Sequence, residues 1–256
     1  MQDDRVSFLG CPIDLHGRAE LLRRVETAAH RQGARLRIEG LNVAKLVDSR
    51  SDPELLQALR EAEIVHADGQ GIVLGLAGLG LRAERCAGID VMQDICERAS
   101  RLGLGVYLLG ARTEIVAATA RQLQERWPSL VISGWRNGYF TETEEDAVVD
   151  VINASGAALL FIGISSPKKE LFLRGNWNRL AVRVAMGVGG AFDVISGHRP
   201  RAPLLMQRAG LEWFFRLCLE PRRLALRYFR TNIVYAWLLA TAWFGSRIAE
   251  ITGRLR

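Results

Sequence analysis

The amino-acid sequence predicts an α/β fold, a mostly parallel β-sheet flanked by helices, followed by a C-terminal helical appendage. Over residues 1–196, short apolar runs alternate with helical patterns, which is typical of βαβ units and of parallel sheets. From residue 197 to residue 256 the chain becomes basic and tryptophan-rich, and the strand-like runs stop. We therefore expect an α/β domain over 1–196 and an appendage over 197–256.

The predicted strands are short apolar runs bounded by Gly, Pro or polar residues. They lie at residues 6–9, 36–41, 64–66, 106–109, 130–135, 158–164 and 182–188. The runs at 64–66, 158–164 and 182–188 lead into loops rich in Gly, Ser or Asp. Because ligands of such sheets bind beyond the carboxyl ends of the strands, these three loops are where we expect a site.

The predicted helices of the α/β domain fall between these runs, at residues 19–32, 53–63, 114–126 and 143–154. The last of them has acids in its first turn, where the helix dipole favours negative charge. In the appendage, residues 204–219 read as a helix that Glu220-Pro221 interrupts, and a helix resumes through 222–230. Residues 231–246 carry no charge and are too short to span a bilayer, so we expect a helix that lies on a membrane or packs on a partner.

Charge is distributed unevenly along the chain. Residues 197–256 contain eleven Arg, no Lys and three acids, a net +8 in a chain whose total is +6. This asymmetry indicates an anionic partner for the appendage: nucleic acid, anionic lipid or a lipid diphosphate. Basic runs are often only solvated surface, but here the run precedes an uncharged Trp-rich stretch, which favours a membrane surface.

The cysteines and histidines are isolated along the sequence. Four Cys occur without a CxxC pair, so we expect neither a disulfide framework nor a zinc site, and a reducing cytoplasm fits. The His residues form no HxxxH cluster, and we predict no metal. The first residues, MQDDRVSFLG, do not resemble a signal peptide.

Two motifs near the middle of the chain contain candidate site residues. In HADGQG, Asp68 follows a strand and could act as a general base, while Gly69 and Gly71 would allow close approach of a ligand. The alternative is an Asp that makes only a turn hydrogen bond. In RCAGID, Arg85 could hold a diphosphate beside Asp90, although a plain Arg–Asp salt bridge is the simpler interpretation.

Two further motifs follow predicted strands. SSPKKE resembles a helix start suited to phosphate, with Lys168, Lys169 and Glu170 beside it; a capped helix with exposed lysines explains it equally well. GVGGAFD supplies Gly189, Gly190 and Asp193 for close approach of a nucleotide. It is not GxGxxG, and this counts against a nucleotide-dependent oxidoreductase, the first alternative function.

Taken in order, HADGQG, ERCAGIDVM, VYLLGA, NGYF, SSPKKE, GVGGAFDVISG, RAP and GLEWFFRLCLEPRR resemble the WecG/TagA/CpsF family of glycosyltransferases. The resemblance extends from about residue 9 to about residue 229. It implies a Rossmann-like domain and inverting, metal-independent transfer from a UDP-sugar to a polyprenyl-diphosphate-linked saccharide. Members build exopolysaccharides and other surface glycans. The resemblance assigns Asp68 as catalytic base.

The resemblance also implies roles for other residues. Donor or substrate contacts fall on Asn42, Lys45, Arg85, Tyr139 and Asp193, together with the glycine and lysine positions above. The lipid diphosphate would meet Arg201, Arg216, Arg223 and Arg227. Two departures concern the donor sugar: many members have PKQE where this chain has Lys169, and a Thr where it has Gly40.

We therefore expect a UDP-sugar-dependent hexosyltransferase that needs no cofactor. Glucose is the first candidate for the donor sugar, and N-acetylmannosamine or its uronic acid is the next. The enzyme would act as a peripheral protein on the cytoplasmic face of the bacterial inner membrane, as a monomer or homo-oligomer, without nucleic acid. The second alternative is a non-catalytic membrane protein of polysaccharide assembly.

Overall fold

A six-stranded, wholly parallel sheet forms the centre of the protein in the computed structural model, which describes residues 5–30 and 34–253. Its strand order is β4-β3-β8-β7-β5-β6. The strands are β3 (Leu36–Leu41), β4 (Ile64–Ala67), β5 (Val106–Gly110), β6 (Ile132–Arg136), β7 (Leu159–Gly163) and β8 (Val184–Gly187). The predicted Rossmann-like fold class is confirmed.

An antiparallel hairpin lies outside this sheet and packs beside its edge strand β4. It is formed by β1 (Arg5–Phe8) and β2 (Cys11–Asp14), so the run predicted at 6–9 is a strand but not part of the parallel sheet. Asp14 accepts a 2.6 Å hydrogen bond from the backbone N–H of Val65, and Arg5 holds the same carboxylate through two hydrogen bonds. The hairpin thus satisfies an edge donor that would otherwise be open to another chain.

Helices connect and cover the strands of the sheet. They are α1 (Arg18–His30), α2 (Val43–Asp48), α3 (Pro53–Glu61), α4 (Gln70–Gly78), α5 (Gly88–Leu102), α6 (Thr113–Arg126), α7 (Glu145–Ala154), α8 (Lys168–Asn176) and α9 (Ala191–Ile195). The four predicted helices are confirmed in outline, and the end of the first, at Gln32, lies outside the described residues. The helix start predicted at SSPKKE is confirmed by α8, whose N-cap is Pro167. Helices α2, α4, α5 and α9 were not predicted.

The core follows the alternation of side chains along the strands. Val106 and Leu108 of β5 point to one face, which α1, α5, α6 and α9 cover. Tyr107 and Leu109 point to the other face, which α7 and α8 cover. A third apolar cluster joins the hairpin to α2, α4 and the C-terminal helix at the β4 end of the sheet.

The appendage consists of α10 (Leu204–Arg208), α11 (Glu212–Leu219) and α12 (Pro221–Gly253). The single helix predicted over 204–219 was wrong: Gly210, with φ +72°, turns the chain between α10 and α11. The predicted interruption at Glu220-Pro221 is confirmed: α11 ends at Leu219, and Pro221 begins α12, because the first helical position needs no N–H donor. The helices predicted over 222–230 and 231–246 are parts of one continuous helix, α12.

Helix α12 packs on the body of the protein through one face. Leu224, Thr231, Tyr235 and Leu238 are buried, and the Tyr235 hydroxyl donates a 2.8 Å hydrogen bond to the carbonyl of Gly71 on α4. This face of α12 therefore packs on the chain's own α/β domain and not on a membrane or a separate partner. Within residues 5–30 and 34–253, no helix is long and apolar enough to cross a membrane.

Candidate functional site

Asp68 lies at the carboxyl end of β4, where the strand leads into α4. Its backbone N–H donates to the carbonyl of Leu41, at the end of the neighbouring strand β3. Its carboxylate oxygen Oδ1 accepts a 2.7 Å hydrogen bond from the N–H of Gly88, the first residue of α5. A helix N-terminus thus holds one oxygen, and Oδ2 makes no hydrogen bond within the part of the chain that the structure describes. This geometry leaves one oxygen to accept a proton.

Gly40 creates the space in which Asp68 stands. A Cβ at this position would lie 2.9 Å from the Cβ of Asp68 and 3.1 Å from Cε1 of His66. Because Cβ atoms essentially never come that close, a side chain here would displace the carboxylate. His66 is fully buried, and burial lowers its pKa, although the charge of Asp68 opposes that shift. The ring next to Asp68 is therefore neutral at pH 7.

The loop from α4 to α5 brings Arg85 to the same edge. The N–H of Cys86 donates a 2.8 Å hydrogen bond to the carbonyl of Ala67, which fixes the loop to the end of β4. Arg85 donates to the carbonyl of Gln207 at 2.8 Å and forms an ion pair with Glu212 on α11. The simple Arg85–Asp90 bridge is wrong, since Asp90 pairs instead with Arg201 at 2.8 Å.

A buried ionic cluster lies beneath the loops that follow β3 and β7. Lys45 contacts Glu39 at 3.0 Å and Glu170 at 2.8 Å, and Lys169 contacts Glu39 at 2.8 Å and also Glu170. All four side chains are at most 6% exposed. Gly187 of β8 makes room for them, because a Cβ there would lie 2.7 Å from the Lys169 ammonium. We call these four residues the buried quartet.

Lys45 and Glu170 of the buried quartet have shifted pKa values, and both shifts favour the charged form of the side chain. Burial alone would lower the pKa of Lys45, but Glu39 and Glu170 outweigh it and raise that pKa above its ordinary value of 10.5. Burial alone would raise the pKa of Glu170, but Lys45 and Lys169 outweigh it and hold that pKa well below 4.5. Lys45, Lys169 and Glu170 are therefore in the interior, and the alternative of exposed lysines is wrong for Lys169.

The glycines of the motifs serve different purposes. Gly71 lies within α4 and packs against the chain itself, since a Cβ there would lie 2.6 Å from Val43. Gly69 is the N-cap of α4 and faces Asn42, whose side chain caps α2 through a 3.0 Å hydrogen bond to the N–H of Lys45. Gly189 has φ +51° and no atom within 4 Å of a Cβ position, so its surface is open.

Asp193 and Gly190 belong to the loop and short helix after β8. Gly190 is the N-cap of α9, and Asp193 lies in its first turn, 3.8 Å from Arg199. Strand β8 is next to β3, so this loop shares the carboxyl edge with Asn42 and, one strand further, Asp68. The loop after β8 can therefore line a site at this edge.

Tyr139 is 74% exposed in the loop after β6. This loop turns back over β5 and β7, because the Gly138 N–H donates a 2.9 Å hydrogen bond to the Ala111 carbonyl and a Cβ at Gly138 would lie 2.8 Å from Ile164. Lys168 lies beside the same loop, with its ammonium 4.3 Å from the ring centre of Phe140. Tyr139 and Lys168 therefore lie towards the β5 and β7 part of the carboxyl edge, at least three strand positions from β4 and Asp68.

The appendage arginines have different surroundings. Arg201 is tied to Asp90 and, at 3.6 Å, to Glu212. Arg223 pairs with Glu220, three residues before it, and Arg227 pairs at 2.9 Å with Asp48 on α2. Arg216 is exposed, and no ion pair to it is found among the described residues. Of the four predicted anion contacts, Arg216 is thus the one whose charge the described chain leaves uncompensated.

Some residues of this region were missed by the sequence motifs. Glu39 was not singled out, although an acid between the apolar Ile38 and Leu41 of a predicted strand is a signal of a compensated buried charge. Gly88 and Glu212 lay inside quoted motifs without a role. The described residues contain no cluster of three or more His, Cys, Asp or Glu side chains that could hold a metal ion.

A parallel α/β sheet flanked by helices defines a Rossmann-like protein, a class in which ligands bind at the carboxyl edge of the strands. The model of the Glycosyl transferase WecG/TagA/CpsF family matches residues 6–249 of the chain. The chain belongs to this family and is a glycosyltransferase. The match covers both the α/β domain and most of the appendage, while the boundary at residues 196 and 197 stays a prediction.

Proposed function

We propose that this protein transfers a hexose from a UDP-sugar to a polyprenyl-diphosphate-linked saccharide, with inversion, in surface glycan synthesis. The observation that carries the proposal is Asp68, whose Oδ1 is held by the Gly88 N–H while Oδ2 remains available at the sheet edge. Family membership establishes the transferase class and argues against the oxidoreductase alternative. The donor, the acceptor and the base are the parts that we propose.

The reaction needs one proton acceptor and one stabiliser of negative charge. Asp68 takes the proton of the acceptor hydroxyl as its oxygen bonds to the anomeric carbon, and the bond from that carbon to UDP breaks on the opposite face. The leaving diphosphate gains charge, which backbone N–H groups of the Gly189–Gly190 loop and the appendage arginine Arg216, unpaired among the described residues, can compensate, since Arg85 is already paired with Glu212. Asp193 and Asn42 stand at the same edge, where they would orient the donor.

The donor sugar is the least constrained part of the proposal. Glucose comes first and N-acetylmannosamine or its uronic acid next, on the resemblance alone. The two departures from the family pattern have physical consequences here: Gly40 leaves room for Asp68, and Lys169 is bound within the buried quartet. Lys169 therefore acts on a donor through the loops that it supports. Product analysis with a panel of UDP-sugars and lipid-linked acceptors identifies the pair.

Contact with the membrane is proposed for the outer face of α12. Exposed apolar side chains recur along it at helical spacing, opposite the buried face: Leu226, Phe229, Ile233, Trp237 and Phe244. We call them the apolar stripe. A soluble protein rarely exposes so large an apolar surface without a partner. This surface supports the proposal of a peripheral position on the inner membrane, with the appendage arginines near the lipid diphosphates.

The test of the base is Asp68→Asn, which keeps the shape of the side chain and an oxygen for the Gly88 N–H. We expect turnover of UDP-sugar to fall by about 10²–10⁴-fold while the melting temperature is nearly unchanged. Asp150→Asn, an exposed acid on α7, is the matched control and should keep its activity. Activity of Asp68→Asn within about threefold of the unsubstituted protein would remove Asp68 from the base role.

A further inference from the structure

Two ion pairs of opposite polarity connect the appendage to the α/β domain. Arg85 of the domain pairs with Glu212 of the appendage, and Asp90 of the domain pairs with Arg201 of the appendage. Glu212 is the shared centre, because Arg201 also approaches it at 3.6 Å. The side chains of Arg85 and Glu212 are about one-fifth exposed, so the pair is shielded from most of the solvent.

This contact lies directly beside Asp68. Asp90 is in the first turn of α5, the helix whose first N–H holds the carboxylate of Asp68. The turn between α10 and α11 rests on the same place, because a Cβ at Gly210 would collide with Gln70, two residues beyond Asp68. The position of α11 is thereby set by groups within a few residues of the candidate base.

Arg216 follows Glu212 by four residues on α11, and residues at this spacing lie on the same face of a helix. When Glu212 is held by Arg85, the face that carries Arg216 is therefore turned to the same edge of the domain. Arg216 is exposed and has no ion-pair partner among the residues described. Its charge is free to meet an anionic group of the substrate.

We propose that Glu212 is a positioning residue, which docks α11 on Arg85 and so sets the place of Arg216 for a diphosphate group of the substrate. The proposal rests on the proposed function for the role of Arg216. Glu212 acts through Arg216 and does not bind the diphosphate itself, because both are anions and repel each other. The Arg85–Glu212 pair therefore sets the orientation of α11, while α12 is held on the domain by its own buried face.

The experiment is a double-mutant cycle with inorganic pyrophosphate as the probe, on the full chain. Glu212→Gln, Arg216→Ala and the double variant are titrated by calorimetry, and the acceptor KM is measured in parallel. We expect each single variant to weaken pyrophosphate binding by about fivefold. The double variant should be no weaker than Arg216→Ala within about twofold, because both changes remove one contact. Glu212→Asp should restore most of the affinity.

Hydrogen exchange supplies a readout that does not depend on substrate. In Glu212→Gln, amides of α10 and α11 should exchange at least about fivefold faster, while amides of β7 keep their protection. Glu97→Gln, which removes an exposed ion pair with Arg101 on α5, is the control and should change neither measurement.

Several outcomes would overturn the proposal. They are multiplicative losses in the double variant, unchanged exchange of α10 and α11 in Glu212→Gln, and tighter pyrophosphate binding when Glu212 is neutralised. The last result would make Glu212 a competitor of the substrate. A chain that binds pyrophosphate as expected but turns over no UDP-sugar would instead contradict the proposed function and leave the role of Glu212 standing.

Discussion

Removing one charge from the buried quartet should lower the free energy of unfolding more than removing one charge from an exposed ion pair of this protein. The quartet holds two ammonium and two carboxylate groups, all nearly inaccessible to water. Lys169→Met leaves Glu39 and Glu170 with Lys45 as their only cation in the cluster, a net buried charge of about −1. Breaking a buried pair in this way costs about 3–5 kcal/mol.

The effect is measured by thermal and urea unfolding. For a chain of this size, a loss of about 3–5 kcal/mol lowers the melting temperature by roughly 6–20 °C. The matched control is Arg101→Met, which removes the cation of an exposed pair and should cost at most about 1 kcal/mol. The double variant Lys169→Met, Glu39→Met restores neutrality around the Lys45–Glu170 pair.

We expect that double variant to recover most of the loss, because a buried ion pair replaced by apolar groups of similar volume is often neutral in stability. A cost for Lys169→Met no larger than that for Arg101→Met would refute the reasoning. So would a double variant that is less stable than the single one. Lys169→Gln, the residue that many family members have, should also destabilise this chain, since it leaves the same carboxylates undercompensated.

Three further predictions follow from the site and the appendage. The pKa of Glu170 is lowered, so its ionised form contributes stability above about pH 4.5, and this stability is lost as the pH falls below this value. Acid unfolding of Lys169→Met, measured by circular dichroism, should therefore begin at a higher pH than that of the unsubstituted protein; onset at the same pH would contradict this. Gly40→Ala should lower kcat by about tenfold or more with little change in melting temperature, because its Cβ displaces Asp68; unchanged kcat would contradict this. Phe229→Ser with Trp237→Ser should abolish sedimentation with anionic vesicles without unfolding the chain, since both side chains are exposed; persistent sedimentation would exclude the apolar stripe as the contact.

The membrane test uses substitutions because α12 cannot simply be removed. Tyr235 and Leu238 are buried in the apolar cluster that joins the hairpin, α2 and α4. Truncation before residue 231 would take both from the core. Loss of vesicle binding would then report unfolding as readily as loss of a membrane contact, whereas exposed side chains of the apolar stripe separate the two.

The sequence predicted the parallel sheet well because its signal is local. Runs such as VYLLG are buried on both faces and are apolar at every position, which is typical of a central parallel strand. The run over residues 6–9 also predicts a strand, but β1 pairs only with β2, since one run encodes neither its pairing partner nor the sheet to which it belongs. Helix α12 was divided in the prediction because its charged and uncharged halves differ in composition but not in backbone geometry.

The residues of the candidate site also divide into those that local sequence reveals and those whose contacts depend on the tertiary structure. The motif around Asp68 could be found along the chain, because a carboxylate after a strand must lie at the carboxyl edge of the sheet. The ion pair of Arg85 could not be found in this way: Glu84 and Asp90 are the acids close to it in sequence, yet its partner is Glu212, more than a hundred residues away. Long-range ion pairs depend on how separate elements dock, and spacing along one segment carries no such information.

By itself, the sequence determined the fold class, the family and the residues that could perform acid–base and anion-binding chemistry. Only the tertiary structure decided which of them share an environment. It placed Lys169 in the interior with Glu39, because the strand β3 and the helix α8 meet there, and it left Tyr139 exposed in the loop after β6. Burial and proximity arise from the packing of elements distant in sequence, and these two properties turn a residue type into a chemical role.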